Sequence, residues 1–167
     1  PMTFTLTSDS FRDGDYLAPE QLLSESFGFG GSGGNVSPAL SWTGAPQGTR
    51  GFALTCFDPD APTGSGFWHW LVVNLGSSVS GLPAGAGSDG AVGLPEGALQ
   101  TRTDFGSAGY GGPCPPVGDH PHRYLFTVHA LGVDALPVAA DTPAAVIGFQ
   151  LHGAALAKAS LMGLCRR

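Results

Sequence analysis

The sequence predicts a mainly β protein with one helix packed near its C-terminus. Apolar runs of strand length recur along the 167 residues, turn residues separate those runs, and only the last segment shows helical periodicity. The chain contains 27 glycines and 14 prolines. Because they fall between clear apolar runs, they indicate turns between short strands and not disorder. We find no internal repeat or domain boundary, so residues 1–167 are predicted to form a single domain.

Five segments have the length and composition of strands. The longest are rich in aromatic and β-branched residues, which favour a pleated surface. The glycine-rich residues 27–38 and the Gly, Ser, Ala and Pro residues of 76–98 are predicted to form loops. The predicted strands are 4–7, 39–42, 49–57, 68–75 and 123–131.

The segment after residue 140 changes to a helical pattern. Asp141 or Thr142 is the predicted N-cap, and Pro143 stands at or near the first helical position, where its missing N–H is harmless. Gly163 is the predicted end of the helix. One apolar face recurs at helical spacing and is widened by its neighbours. Its members are Val146, Phe149, Gly153, Leu156 and Ser160, with Ile147, Leu151 and Ala154 beside them.

The balance of charge argues against one class of partner. Seven Lys and Arg residues face thirteen Asp and Glu residues, which gives a net charge of −6 and a pI near 5.1. Nucleic-acid binding needs a basic surface, so no nucleic-acid partner is expected, and an anionic membrane surface is disfavoured as the main partner. No apolar run approaches the length of a bilayer span, so no integral membrane segment is predicted.

The chain carries three cysteines, Cys56, Cys114 and Cys165. Their odd number and wide spacing predict free thiols, which are typical of a reducing cytoplasm. The opening residues PMTFTLTSDSF lack a charged region followed by an apolar run, so no signal peptide is predicted. A signal removed before Met2 leaves no trace in the sequence, so a periplasmic location stays open.

A polar cluster, DPDAPTGSGFWHW, begins at Asp58. If the flanking strands pair as a hairpin, Asp58 and His69 lie at facing strand ends. A carboxylate there is expected to fix one tautomer of the His69 ring and to raise its pKa. Strand alternation predicts that His69 shares a face with Leu71, opposite Trp68 and Trp70.

A second cluster, GYGGPCPPVGDHPHRYLF, begins at Gly109. Its glycines permit close backbone approach, and its prolines predict a rigid extended wall. In the strand that follows, His122 and Tyr124 share one face and Arg123 points the other way. Two histidines, a tyrosine, an aspartate and exposed backbone N–H groups then form a small polar pocket. Such a pocket suits a phosphate or a carboxylate, with the imidazoles as donors.

Structural explanations compete with each of these roles. Asp58 and Asp60 are also typical of loop caps, and His69 is also typical of a satisfied core histidine. Trp68 and Trp70 are expected in the core and the pocket wall, because no basic residues interleave with them as in a stacking surface. A solvated or structural role is expected for the remaining histidines, His120, His129 and His152.

Four blocks of the sequence carry a resemblance that covers nearly the whole chain. They are NVSPALSW (35–42), DPDAPTGSGFWHWLVVNL (58–75), DFGSAGYGGPCPP (104–116) and HRYLFTVHAL (122–131), in that order. The chain resembles the phosphatidylethanolamine-binding protein (PEBP) family, in its bacterial Raf-kinase-inhibitor-like branch. The most specific part of this signature is DPDAP with a downstream HRY.

The resemblance implies an antiparallel β-sandwich-like fold with a few short helices at its edge. It also implies a pocket for phosphate-type head groups and other small anions, with no catalytic residue, cofactor or metal. Family members often self-associate, so a homodimer is compatible with the resemblance. The implied ligand-binding residues are Asp58, His69, Gly112, Pro113, His122 and Tyr124, with Asp60 in support and Pro115 in the wall.

The chain departs from the family pattern at several places. Eukaryotic members have longer segments after DPDAP and at the C-terminus, where a helix can gate the pocket, whereas here the loop is short and the sequence closes with GLCRR. Ala39 stands where the usual SPPLSW block has a proline. The resemblance therefore predicts an anion pocket more strongly than a lipid ligand or kinase inhibition.

The leading hypothesis is a non-catalytic binding protein for a small anion or a phosphorylated group. The alternatives are an inhibitor or regulator of a kinase or protease partner, an enzyme such as a minor hydrolase, and a metal protein. Residues 30–34 match G-x-S-x-G, and 28–33 match G-x-G-x-x-G, but neither lies between a strand and a helix. Cys114 with a histidine suggests a thiol hydrolase, which its flanking prolines disfavour. A metal site from Asp58, His69, His120 and His122 lacks a local spacing motif.

Overall fold

Two antiparallel sheets and one α-helix form the architecture of the computed structural model, which describes residues 3–167. Pro1 and Met2 lie outside the described residues. They are the first two residues of the segment in which no signal peptide is predicted. The elements are β1 (Thr5–Thr7), β2 (Leu40–Thr43), β3 (Gly51–Asp58), β4 (Phe67–Gly76), β5 (Gly81–Leu82), β6 (Leu99–Gln100), β7 (His122–Leu131), α1 (Ala144–Ala154) and β8 (Ala155–Cys165). The smaller sheet has the order β1-β2-β5, and the larger has the order β6-β4-β3-β7-β8.

All five predicted strands are present, as β1, β2, β3, β4 and β7. Strand β3 pairs along its length with both β4 and β7, so it lies at the centre of the larger sheet. The predicted loop 76–98 contains only the two-residue β5 as regular structure. Two short 3₁₀ helices span Pro19–Gln21 and Glu25–Phe27. The prediction of a mainly β, antiparallel fold with one α-helix near the C-terminus and few short helices is confirmed.

The larger hydrophobic core lies between the two sheets. Leu6 and Trp42 of the smaller sheet belong to the same buried cluster as Leu54, Val72 and Phe126 of the larger sheet. This face forms because every second residue of a strand points to the same side. Burying one such side chain contributes about 1.5–3 kcal/mol, so the cluster is a main source of stability.

Helix α1 covers the opposite face of the larger sheet. Its Ile147 and Leu151 pack with Ala53, Leu71 and Val73 in a second buried cluster. The sheet is therefore buried on both faces, which is why β3 and β4 read as continuous apolar runs and not as alternating ones. None of the helices in the described part of the chain is long and apolar enough to cross a bilayer.

The prediction of one helix from Pro143 to Gly163 is wrong in its second half. The helix ends at Ala154, and the residues from Ala155 onward form β8, which pairs antiparallel with β7. Alternate residues in the second half of β8, such as Leu161, are buried. The small and apolar residues of this segment fit both a helical and a two-residue period, and pairing with β7 decides between them.

The predicted apolar face of the helix is wrong in its main row, and only residues predicted to widen it are buried. Val146 and Phe149 are 43% and 78% exposed, whereas Ile147 and Leu151 are buried. The N-cap position falls on Pro143, so neither of the two polar residues before it caps the helix. Most positions of α1 are apolar or small, and spacing alone therefore does not identify the side that meets the sheet.

A β-bulge at His69 reverses the predicted alternation at the start of β4. Cys56 pairs with Trp70 and Phe57 pairs with Trp68, so His69 is an extra residue in β4. Trp68 consequently lies with the second cluster on the helix side of the sheet, while His69 turns toward the face of the larger core. The predicted division of these residues between two faces is therefore wrong.

Candidate functional site

A cavity of about 150 Å³ opens at one end of the larger sheet. Four of its six polar residues come from three neighbouring strands: Asp58 ends β3, His69 lies near the start of β4, and His122 and Tyr124 lie at the start of β7. Because neighbouring strands are antiparallel, the end of β3 lies beside the starts of β4 and β7. The topology therefore brings together the two polar clusters found in the sequence.

The walls of the cavity are mainly apolar. Phe105 contacts both Phe29 and Phe67, with ring centroids 5.7 Å and 4.7 Å apart. Phe29 is 60% exposed and marks the outer edge of the cavity. The other apolar lining residues are Leu23, Ala61, Pro62, Pro115 and Pro116, and the polar ones are Asp58, Thr63, His69, Cys114, His122 and Tyr124. An apolar wall with a few convergent polar groups is the usual construction of a small-molecule site.

The His122 ring is held between two carboxylates. Its Nδ1 lies 2.8 Å from Oδ2 of Asp58, and its Nε2 lies 3.0 Å from Oδ2 of Asp119. A carboxylate at each ring nitrogen favours the doubly protonated, positively charged ring, because that form donates at both nitrogens. Burial lowers the pKa of His122, but the hydrogen bonds to Asp58 and Asp119 outweigh it, and the pKa is raised overall. This buried cation is the main positive charge beside the cavity.

The His69 ring has the opposite character. Its Nδ1 donates a 2.7 Å hydrogen bond to the carbonyl oxygen of Gly111, which fixes the proton on that nitrogen. Burial lowers the pKa of His69, and the Gly111 bond and the nearby charge of Asp58 oppose this without reversing it. The ring is therefore neutral near pH 7, and Nε2 carries a lone pair. Within residues 3–167 no protein group donates to Nε2.

Two expectations about His69 are therefore wrong. Asp58 does not fix its tautomer, because Asp58 pairs across the strands with Phe67 and gives its carboxylate to His122. The pKa of His69 is lowered and not raised, since the ring is buried and the group that fixes its proton is a neutral carbonyl. The bulge at His69 is the structural cause, because it shifts the ring away from the register that a regular hairpin predicts.

Asp58 and Tyr124 complete the floor of the cavity. Oδ1 of Asp58 accepts a 2.8 Å hydrogen bond from the backbone N–H of Asp60, which closes a tight turn within DPD. Tyr124 is 1% exposed, and its ring lies edge-on to His69 with centroids 5.1 Å apart. Burial and the charge of Asp58 raise the pKa of Tyr124, so its hydroxyl stays protonated.

Asp60 lies outside the cavity lining and holds Arg123. Its carboxylate accepts hydrogen bonds from the backbone N–H, Nε and Nη2 of Arg123 at 2.8, 3.0 and 2.9 Å. The Arg123 hydrogen bond is the main reason that the pKa of Asp60 falls to about 2. This pair ties the loop after β3 to the start of β7, so Asp60 positions the two strands whose polar ends form the floor. The orientation predicted for Arg123, opposite His122 and Tyr124, is observed.

Gly112 and Pro113 lie behind the wall and do not line the cavity. The N–H of Gly112 donates to Oδ1 of Asn35 at 2.8 Å, and the carbonyl of Pro113 accepts from Leu23 at 3.0 Å. A side chain on Gly112 would collide with the carbonyl of Gln21. These two residues therefore anchor the wall from behind, while Pro115 lines the cavity.

Several lining and supporting residues escaped the sequence analysis. Phe67 and Phe105 lie within quoted blocks, but an isolated phenylalanine is typical of any core, so nothing marked them as cavity walls. Asn35 carries a stronger sequence signal, because an asparagine after a glycine-rich loop is typical of a positive φ. In the structure its φ is 52°. Asp119 lies three residues before His122, a spacing that pointed to contact only after the turn between them was known.

Cys114 lines the cavity as a free, half-buried thiol. Its Sγ donates to the carbonyl oxygen of Phe29 at 3.5 Å. In the described chain no carboxylate or imidazole accepts from this thiol, so no base is in place to form a thiolate nucleophile. Residues 28–34 lie in bends and irregular backbone, which is not the setting of either glycine motif. Residues 3–167 contain no group of three or more His, Cys, Asp or Glu placed to hold a metal ion.

The other histidines occupy different surroundings. His129 is buried on the helix side of the sheet, and its Nε2 lies 3.0 Å from Oγ1 of Thr55. His120 is exposed and packs near His122, with ring centroids 5.5 Å apart. His152 is exposed on α1. None of the three lines this cavity.

The sandwich of two antiparallel sheets, with a polar-floored cavity at its strand ends, defines a β-sandwich protein of the binding type. The family model for phosphatidylethanolamine-binding protein matches residues 7–166, and the chain belongs to that family. The family predicted from the four sequence blocks is thus confirmed.

Two proteins of Escherichia coli K12 are similar over most of this chain. The UPF0098 protein YbhB is 49% identical over 159 residues, which cover 95% of this chain and 98% of YbhB. The UPF0098 protein YbcL is 48% identical over 158 residues, which cover 95% of this chain and 85% of YbcL. The crystal structure of YbcL, described as a new member of the mammalian PEBP family, matches with a TM-score of 0.94 over 98% of both chains at 46% identity. The fold therefore agrees with that of a solved bacterial PEBP member.

Proposed function

We propose that this protein is a non-catalytic binding protein that holds a small anion, such as phosphate or a phosphorylated head group, in the cavity at the end of the larger sheet. The observation that carries the proposal is the buried His122 ring beside the cavity floor, where a carboxylate at each nitrogen favours its positive charge. A buried cation attracts an anion strongly because little solvent screens it. The Tyr124 hydroxyl, which stays protonated, is a second donor of the lining.

The size of the cavity supports a head group and not a whole lipid. Its volume is about 150 Å³, below the range of roughly 300–1,000 Å³ typical of drug-sized ligands. A cavity of about 150 Å³ accommodates a molecule the size of benzene. The apolar chains of any lipid ligand would therefore lie outside, near the exposed ring of Phe29.

Asp119 acts as an internal competitor in this proposal. Its carboxylate already accepts from Nε2 of His122, and its side chain is 37% exposed on the turn before β7. An anion that takes a hydrogen bond from this nitrogen must first displace Asp119. Because Asp119 is partly exposed, its released carboxylate is solvated by water, and the incoming anion takes its place at the buried ring.

The surroundings of the polar groups support a binding role over a catalytic one. Cys114 has no base among its hydrogen-bond partners in the described chain, and Tyr124 keeps its proton. A nucleophile needs activation, for example by an adjacent base, and the hydrogen bond of Cys114 supplies none. The three free cysteines also support the cytoplasm as the compartment of the protein.

The test measures binding of inorganic phosphate at pH 6 to two variants, each of which changes one of two neighbouring histidines. His122→Gln removes the cation and keeps a hydrogen-bonding side chain, whereas His120→Gln changes the exposed neighbouring ring. We expect saturable phosphate binding by the wild type and by His120→Gln in calorimetry, and a loss of roughly tenfold or more in His122→Gln. Equal binding by both variants, or no saturable binding by the wild type, would overturn the proposal. Thermal unfolding of each variant verifies that it is folded.

A role on a protein partner is the second candidate. The outer face of α1 and the start of β8 carry three exposed apolar side chains, Val146, Phe149 and Leu156, at 43%, 78% and 50% exposure. Val146 and Phe149 are three residues apart on α1 and so lie on one side of the helix, which favours a macromolecular contact, either with a regulated kinase or protease or with a second copy of this chain. Light scattering of the wild type and Phe149→Ser distinguishes the second copy, since self-association through this face should weaken in the variant.

A further inference from the structure

The two histidines of the cavity require different partners. His122 has a proton on both ring nitrogens, so it donates. His69 has its single proton on Nδ1, held by the Gly111 carbonyl, and therefore presents a lone pair at Nε2. A ligand that fills the space between them needs an acceptor for one ring and a donor for the other.

A fully deprotonated phosphate oxygen does not satisfy His69. Two acceptors that face each other share no proton, and in a buried site neither has water as an alternative partner. The charged and titratable groups that face His69 are Asp58 at the end of β3, Asp104 after β6, and Tyr124 on β7. The two carboxylates favour protonation of the ring, but burial outweighs them and the ring stays neutral.

We infer that the cavity selects phosphate monoesters in their singly protonated form over phosphate diesters. This inference rests on the proposed anion-binding function and names the ligand class for the same cavity. A singly protonated monoester carries one P–OH group, which donates to Nε2 of His69. Its unprotonated oxygens then accept from Nε2 of His122 once Asp119 has moved away.

A diester carries no P–OH group. Its two non-bridging oxygens are both acceptors, so one of them faces the lone pair of His69 while the other meets His122. The phosphate of a membrane phospholipid is a diester and is the poorer match for this pair of rings. The inference therefore predicts that this cavity binds the phospholipid for which the family is named less well than a phosphate monoester.

The experiment compares methyl phosphate with dimethyl phosphate on the full chain at pH 5, where the ¹⁵N signal of Nε2 first verifies that the His69 ring is unprotonated. At that pH both esters are mainly monoanions, because the second pKa of a phosphate monoester is about 6. Equal charge leaves the P–OH group as the principal difference between them. We expect methyl phosphate to bind roughly tenfold tighter, as one added hydrogen bond to a buried acceptor predicts.

Repeating the titration at pH 8 separates hydrogen bonding from charge. Methyl phosphate becomes a dianion there and loses its P–OH donor, whereas dimethyl phosphate stays a monoanion and reports any loss of positive charge on His122. We expect the preference for methyl phosphate over dimethyl phosphate to disappear at pH 8. The ¹⁵N signal of His69 Nε2 should shift when methyl phosphate is added at pH 5 and stay nearly unchanged with dimethyl phosphate. In His69→Gln, whose amide offers a donor and an acceptor, the ratio between the esters should fall to about one.

Each outcome decides between the inference and the proposed function. Equal affinity for the two esters in the wild type overturns the inference and leaves the anion-binding function standing. Failure of both esters to bind removes the proposed function, and the inference with it. Methylammonium, a donor without an anionic group, serves as the third probe. If it binds and the esters do not, His69 and Asp58 form a site for a cation instead.

Discussion

Nδ1 of His122 lies 2.8 Å from Oδ2 of Asp58, and this hydrogen bond joins the start of β7 to the end of β3. The two side chains are 1% and 3% exposed, so the pair is buried. Neither strand could bury its charged residue alone, because an isolated buried charge is costly. The pair also keeps His122 positively charged beside the cavity. Stability and the proposed function thus depend on the same two residues.

Replacing Asp58 by asparagine should destabilise the protein. The variant leaves the buried His122 ring without its carboxylate at Nδ1, and breaking a buried ion pair typically costs about 3–5 kcal/mol. The pKa of His122 should fall, because one of the two carboxylates that raise it is gone. Urea unfolding at pH 6 measures the first effect, and a histidine titration by NMR measures the second.

A surface pair supplies the control for that prediction. Arg50 and Asp134 form a salt bridge with side chains 58% and 71% exposed, and Asp134→Asn should change stability by less than about 1 kcal/mol.

The raised pKa of His122 stabilises the native state fully below pH 6.5, and that contribution is lost as pH rises through the pKa of the folded state. The difference between wild type and Asp58→Asn should therefore shrink at alkaline pH. A difference that is the same at pH 6 and pH 9 would contradict this account.

Replacing Asp119 by asparagine should strengthen anion binding. The change removes a negative charge and replaces the carboxylate at Nε2 of His122 by a neutral amide oxygen, which is a weaker acceptor. We expect roughly tenfold tighter phosphate binding at pH 6, the effect of about one charge-assisted hydrogen bond. Asp9→Asn is the matched control, since Asp9 is exposed and the change in net charge is identical. If both variants tighten binding equally, net charge is the cause and Asp119 is not a competitor.

The sequence predicted the centre of the fold because long strands such as β3 and β7 carry unambiguous apolar runs. It predicted His122 and Tyr124 on one face for the same reason, since β7 is regular at its start. It failed at residues 155–165, where small residues fit a helix and a strand alike and only pairing with β7 distinguishes them.

Local irregularity limited the site prediction more than the fold prediction. The partner of Asp58 was misassigned because a single extra residue at His69 changes the register of the hairpin, and a β-bulge leaves no mark in hydrophobic periodicity. The resemblance implies Gly112 and Pro113 as ligand-binding residues, and a glycine and a proline indicate close approach and rigidity without indicating what approaches. In the structure the backbone around Gln21 lies against Gly112.

The two faces of α1 should differ sharply in their tolerance of truncation. Ile147 is fully buried against the larger sheet, and Ile147→Ala should cost about 2–5 kcal/mol. Phe149 is 78% exposed, so Phe149→Ala should change the free energy of unfolding by about 0.5 kcal/mol or less. Urea denaturation of the two variants measures both changes in the free energy of unfolding. Comparable losses would indicate that the helix packs through the face that the sequence first suggested.

The Asp60–Arg123 pair should protect the protein against acid. The pKa of Asp60 is about 2 in the native state against an ordinary value of 3.8, chiefly because of the Arg123 hydrogen bond. A lowered carboxylate pKa stabilises the native state fully above pH 3.8, and that contribution is lost as pH falls toward 2. Asp60→Asn should therefore be less stable than the wild type at pH 5, by about 1 kcal/mol because Arg123 is half exposed and solvent screens the pair. The gap should narrow as pH approaches 2. Asp141→Asn, at an exposed position beside α1, is the control and should show neither effect. If the stability difference between wild type and Asp60→Asn is independent of pH, packing and not charge links the loop to β7.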